Sequence, residues 1–158
     1  MKALNNPAAI VKGASDMNRG VKFRSNLEPP FLSRLPFLIH MKPFDWVIDD
    51  TEIYNPGQPE GRFTGEVFEE LLKNGDEYNF VRIRRYPVDA AIADVSDYNE
   101  YLSSECSFVL LCYDGGFYEI YDKDVGEVEA IYKECLRLGF DNVRITTDEN
   151  DGRYCFHF

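Results

Sequence analysis

The sequence predicts an α+β fold: one domain with a mostly antiparallel β-sheet and about four helices packed chiefly on one face. Three observations predict it. Residues 106–122, CSFVLLCYDGGFYEIYD, are two β-rich runs joined through Gly115 and Gly116. That is a hairpin pattern, because primed turns need positive φ and glycine supplies it without steric cost. A second hairpin is expected at the end of the chain, with residues 142–146 and 154–158 flanking a turn at 148–152. Between such runs lie stretches whose apolar residues recur at helical rather than alternating spacing.

A chain of 158 residues suits one domain, and 44% hydrophobic with 15% aromatic residues is ample for a packed core. Residues 1–16, MKALNNPAAIVKGASD, have neither an apolar signal-peptide core nor an amphipathic period. They are read as a disordered tail or extension, leaving 17–158 as the domain.

The elements follow in order. Residues 20–24 read as a strand. Residues 27–41 carry apolar side chains at 31, 32, 35, 38 and 39, one helix face. Pro29 and Pro30 suit its first turn and Pro36 breaks it. Residues 45–54 form a strand with Trp46, Ile48 and Ile53 as core and an irregularity near Asp49–Asp50. Residues 55–61, NPGQPEG, are a loop. Thr64 caps a helix to about Asn74, with Phe63 and Phe68 as a hydrophobic staple, Val67, Phe68, Leu71 and Leu72 as the buried face, and Gly75 as the stop.

Residues 78–86 alternate as a strand, Val81 and Ile83 on one side and Arg82 and Arg84 on the other, until Pro87 ends it. A short helix over 96–103 presents Tyr98, Tyr101 and Leu102. Residues 106–112 are apolar at both parities, so that strand is expected to be central and covered on both faces. The strongest helix spans 125–138: Asp124 and Glu127 match an Asp variant of the capping box, and Gly139 closes it. Val125, Val128, Ile131, Tyr132, Cys135 and Leu138 keep its buried face. Aromatics at 154, 156 and 158 would turn one face of the last strand inward.

Charge narrows the function classes. The net charge is −11. Residues 94–134 hold 11 acids against Lys123 and Lys133, which is −9 and leaves −2 for the other 117 residues. A field of that sign repels phosphates and anionic lipid, so no nucleic acid or membrane partner is expected. No window approaches the ~20 continuous apolar residues of a membrane helix. The four cysteines, Cys106, Cys112, Cys135 and Cys155, lack the close spacing of zinc ligands and sit among apolar neighbours. They read as buried free thiols in a reducing cytoplasm.

No catalytic signature emerges. Asp148 to Gly152 (DENDG) fails as a calcium loop, since Thr147 and Phe158 would occupy its first and last ligand positions. His40 and His157 are the only candidate bases for a nucleophile, but no G-x-S-x-G elbow accompanies them. Arg82, Arg84 and Arg85 form the one dense basic cluster; it can grip an anion, though pairing across the sheet with acids such as Glu119 is the simpler expectation. No catalytic residue, cofactor or metal is assigned.

The run YLSSECSFVLLCYDGGFYEIYDKD followed by a helix and ITTDENDGR, together with MNRGVKF and FDWVIDDTEIY, resembles an uncharacterised family of small Firmicutes proteins, a domain of unknown function. The resemblance covers about residues 17–158 and implies no activity. The expectation is therefore a small acidic protein of bacterial type. It would serve as a non-catalytic interaction module (adaptor, inhibitor or immunity-like) that offers Asp97, Glu100, Glu105, Glu127, Glu129 and Glu134 to a basic protein partner. The alternative is a divalent-metal-dependent hydrolase using Asp49, Asp50 and Glu52, since such cations take oxygen ligands and neutralise phosphate.

Overall fold

The apolar runs of the sequence assemble into one seven-stranded, wholly antiparallel sheet. In this computed structural model residues 18–25, 31–51, 59–74 and 78–158 are described. The leader 1–16, Pro29, Pro30, Glu52, Ile53 and Gly75 lie outside the described residues. The strands are β1 (Asn18–Arg24), β2 (Phe44–Asp49), β3 (Gly61–Thr64), β4 (Val81–Pro87), β5 (Phe108–Tyr113), β6 (Phe117–Asp122) and β7 (Asp141–Thr147), in the order β3-β2-β4-β5-β6-β1-β7. The helices are a 3₁₀ helix at Phe31–Phe37, α1 (Gly65–Lys73), α2 (Tyr98–Ser103) and α3 (Val125–Arg137).

The β5–β6 hairpin is central, as its doubly apolar first strand requires. Tyr113 pairs with Phe117 around a three-residue loop, Asp114-Gly115-Gly116, rather than Gly115-Gly116 alone. Asp114 (φ 52°) and Gly115 (φ 72°) supply the positive dihedrals. Gly116 is needed for space: a Cβ there would lie 2.7 Å from the Ser25 carbonyl oxygen.

Side-chain alternation divides the core in two. On the first face Val21, Phe23, Trp46, Ile48, Val81, Ile83, Phe108, Leu110, Tyr118 and Ile120 pack beneath the 3₁₀ helix, α1 and α3. On the second face Val47, Tyr86, Val109, Leu111 and Tyr121 lie beneath Ala90, Val95, Tyr101 of α2, Cys106 and Phe156. Both faces of β4 and β5 are therefore closed to water, and residues Val81 to Tyr86 are all buried, three arginines included.

Thr64 caps α1, its hydroxyl accepting from Val67 N at 3.3 Å. Asp97 caps α2 and Asp124 caps α3, each carboxylate accepting the amide three residues on. Several expectations are corrected. Residues 31–37 form a 3₁₀ helix with Pro36 inside it, where an α-helix broken at Pro36 was expected. β3 adds a strand where loop and cap were expected; its four residues gain hydrogen bonds from β2 that local propensity does not reveal. Val67, Leu102 and Val125 are about half exposed, because each lies at the margin of its helix's buried stripe. Cys155 is exposed, unlike the other three thiols.

The terminal hairpin is also corrected. β7 forms, but residues 152–158 add no strand. They cross the second face instead, burying Phe156 against Tyr101 and Tyr121 while Phe156 N donates to Ser96 O at 2.8 Å. Tyr154, expected inward, is 94% exposed. The crossing is fastened by charge rather than by a ladder: Asp151 accepts from Lys22, Arg19 and the Tyr121 hydroxyl, and Arg153 forks onto Glu119 at 2.7 and 2.9 Å.

Candidate functional site

The acids of residues 94–134 do not share one surface. α3 lies on the first face of the sheet and α2 on the second, so the sheet separates Glu127, Glu129 and Glu134 from Asp97, Glu100 and Glu105. Each group is employed differently.

Glu127 is buried. The capping box forms by half: Asp124 Oδ1 accepts from Glu127 N at 3.1 Å, but the Glu127 carboxylate does not return to the helix start. It turns inward, where Oε2 accepts from His40 N at 2.6 Å and meets His40 Nδ1 at 2.8 Å. Arg85 Nη1 stands 2.9 Å from Oε1, close enough for a strong ion pair though not aligned as a hydrogen bond. The guanidinium lies beside the rings of Phe44, Trp46 and Phe108, its Nε donating to Ser107 Oγ at 2.8 Å and Nη1 to His40 O at 3.2 Å. Asp122 completes the centre, with Oδ1 accepting from Arg85 Nη2 at 3.3 Å and from Asp124 N at 2.8 Å.

One guanidinium thus faces two fully buried carboxyl groups. Burial, and then the adjacent Glu127, raise the Asp122 carboxyl far above the usual carboxylate range. Burial alone would raise Glu127 too, but hydrogen bonds from Asp122 and the His40 amide, with Arg85 beside it, hold it below its ordinary value. Asp122 therefore carries the proton and Glu127 the charge. Among the described residues His40, Asp124 and Glu127 also place one ligand atom each within 4.8 Å of one another. Because Arg85 already supplies the countercharge, we read this group as the buried network that seats α3, not as a metal centre.

Glu134 is held on the surface of α3 by Arg137 and Arg34, which together keep its carboxyl below the normal range. Glu129 pairs with Lys133 at 3.7 Å, one helical turn on.

The acids of the alternative site are engaged as well. Arg82 forks onto both oxygens of Asp49 at 2.9 and 2.8 Å, and Arg84 Nη2 adds a bond to Oδ2 at 2.9 Å. Asp50, at φ 54°, ends β2 and reaches His157 Nδ1 at 2.9 Å, while Nε2 of the same ring lies 3.1 Å from Asp94 Oδ2. Glu52 is outside the described residues. The hydrogen bond from Ser96 and those from His157 and Arg82 lower the Asp94 pKa. Pairing across the sheet is thus the fate of Arg82 and Arg84, with Asp49 and not Glu119 as partner; Glu119 belongs to Arg153 and Lys22.

α2 keeps its charge. Asp97 Oδ1 accepts from Glu100 N at 2.8 Å, and Glu100 Oε1 accepts from Ser96 N at 2.7 Å. Among the described residues Asp97, Glu100 and Glu105 form no ion pair, and Leu102 stands half exposed between Glu100 and Glu105. Three acids beside an exposed leucine make a surface able to dock a basic group and an apolar one together.

The buried centre of Arg85, Asp122 and His40 was missed from sequence. Its signal was present: alternation along β4 places Arg85 at the parity of Val81 and Ile83, and a charge at a core parity requires buried partners. His40, 87 residues from Glu127, could not be linked to it by spacing.

The chain belongs to the DUF2691 family, described as a protein of unknown function, whose model matches residues 18–157. It is similar to the uncharacterized protein YncE of Bacillus subtilis (strain 168), with 31% identity over 151 residues, 87% of this chain and 97% of that protein. No solved structure matches it. No helix of the described residues is long and apolar enough to cross a membrane.

Proposed function

We propose that the protein is a non-catalytic interaction module, an adaptor or inhibitor, that docks a basic protein partner on the outer surface of α2. Asp97, Glu100 and Glu105 supply the charge and Leu102 the apolar contact. One observation carries the reading: of the six acids, Glu127 is buried, Glu129 pairs with Lys133 and Glu134 with Arg137 and Arg34, and among the described residues Asp97, Glu100 and Glu105 have no cation of their own. Charge depleted of internal partners beside an exposed aliphatic side chain favours fast, oriented association with a surface of opposite sign. The hydrolase alternative is not put forward, since both oxygens of Asp49 are occupied by guanidinium groups.

The test compares capture from native lysate of a related Bacillus by the wild type and by Asp97→Asn/Glu100→Gln/Glu105→Gln. These changes remove charge while the amides preserve the capping geometry. A protein retained at ~50 mM salt, released at ~500 mM salt and lost with the triple variant supports the proposal, because exposed electrostatic docking weakens with ionic strength. Identical capture by both proteins, or no salt dependence, refutes it.

A further inference from the structure

The described residues do not wholly cover the second face of the sheet. Among them, α2 and the C-terminal crossing shield its centre and leave a cleft of about 430 Å³ between β7 and β5. That is within the ~300–1,000 Å³ of small-molecule sites. Its charge opposes that of the molecule. In a protein of net charge −11 the described residues of the lining hold Lys22, Arg24 and Arg144 against one acid, Glu119.

The sheet register creates this arrangement. Lys22 lies opposite Glu119 on β6 and opposite Arg144 on β7, and Arg24, two residues along β1, shares their side. The Glu119 carboxylate is consumed by the Arg153 fork and by Lys22, and the Tyr113 hydroxyl donates to it at 2.8 Å. Lys22 is divided between Glu119 at 3.4 Å and Asp151 at 3.2 Å. Arg24 and Arg144 are left over. Asp141 is the cross-strand neighbour of Arg24, but among the described residues neither arginine forms an ion pair. Arg24 instead rests over the Phe117 ring, 5.4 Å from its centroid, and Phe117 stacks on Tyr113. Two uncompensated guanidinium groups therefore border a cleft with an aromatic floor.

We propose that this cleft binds a small organic phosphate, a monoester with an apolar or aromatic body. The two guanidinium groups match the double charge of a phosphate monoester above its second pKa of ~6, and their forked donors suit its oxygens. Phe117 and Tyr113 offer the body an apolar wall. The site is independent of the α2 surface, and the two are tested separately.

The probe is phenyl phosphate, followed by isothermal titration and ¹⁵N chemical shifts at pH 8 and ~50 mM salt, with inorganic phosphate and phenylacetate for comparison. Binding of phenyl phosphate at sub-millimolar Kd, with shifts confined to residues 22–24, 117–119 and 142–144, is expected. Arg24→Ser and Arg144→Ser, both on exposed side chains, should each weaken it about tenfold or more. Arg137→Ser on α3 should leave it unchanged, and lowering the pH to 5 should weaken it. Unchanged amide spectra outside the cleft show that each variant remains folded. No binding, or binding indifferent to both arginine variants, overturns the proposal. Inorganic phosphate binding as tightly as phenyl phosphate overturns the organic ligand, and tighter binding of phenylacetate overturns the phosphate.

Discussion

Asp122→Asn should make the protein more stable at neutral pH. The side chain has no solvent exposure, and its Oδ1 already accepts from Arg85 and Asp124 N. The substituted amide can keep its carbonyl toward those two donors and give an N–H to Glu127, which is the bonding of the protonated acid. In the wild type the folded pKa of Asp122 lies above the unfolded value of ~3.9, so the native state binds the extra proton. That contribution is fully present below the unfolded pKa and is lost as pH rises toward the folded one. The loss is about 1.4 kcal/mol per pH unit, so about 4 kcal/mol has gone by pH 7.

The variant has no such proton to bind. Its stability relative to wild type should therefore be near zero at pH 4 and rise to as much as ~4 kcal/mol at pH 7. Urea unfolding from pH 4 to 8, followed through the buried and only tryptophan, Trp46, measures this. Glu127→Gln provides the opposite sign. Its folded pKa is depressed, so its stabilisation is present above the unfolded value of ~4.3 and disappears on acidification. Removing that charge should cost ~3–5 kcal/mol at pH 7 and less at pH 4. Parallel pH–stability curves for wild type and Asp122→Asn, or a loss of stability at pH 7, would show that Asp122 is ionised in the native state and that the proton is misplaced.

Two further predictions concern the hairpin and the crossing. Gly115→Val places a β-branched residue at φ 72° and should cost ~1–3 kcal/mol by urea unfolding, while Gly116→Val forces a Cβ against the Ser25 carbonyl and should cost at least as much; tolerance of both, with fast hydrogen exchange through Phe108 to Leu111, would mean this hairpin is not the centre of the fold. Phe156→Ala empties the contact with Tyr101 and Tyr121 and should cost ~3–5 kcal/mol, whereas Tyr154→Ala, on a fully solvated ring, should stay within ~0.5 kcal/mol; equal effects would refute the crossing.

The sequence by itself determined the elements whose causes are local. Residues 108–111 are apolar at both parities and became β5, covered on both faces. Thr64, Asp97 and Asp124 cap helices because a short acceptor side chain reaches an amide three residues away, a matter of covalent distance. The division of the −11 charge was equally legible as a number. Its location was not, because adjacent acids in the chain went to opposite faces of the sheet.

Tertiary structure alone decided the rest. β3 is a strand only because β2 offers it a ladder, and residues 152–158 are not one because Glu119, Tyr101 and Tyr121 hold them across the sheet. Arg82 and Arg85 are three residues apart, yet alternation sends Arg82 to Asp49 on the second face and Arg85 to Asp122 and Glu127 on the first. The charge left on Asp97, Glu100 and Glu105, and on Arg24 and Arg144, which form no ion pair among the described residues, is the remainder of such pairings. A remainder depends on which partners the fold brings within about 4 Å, and long-range register, not local spacing, fixes that distance.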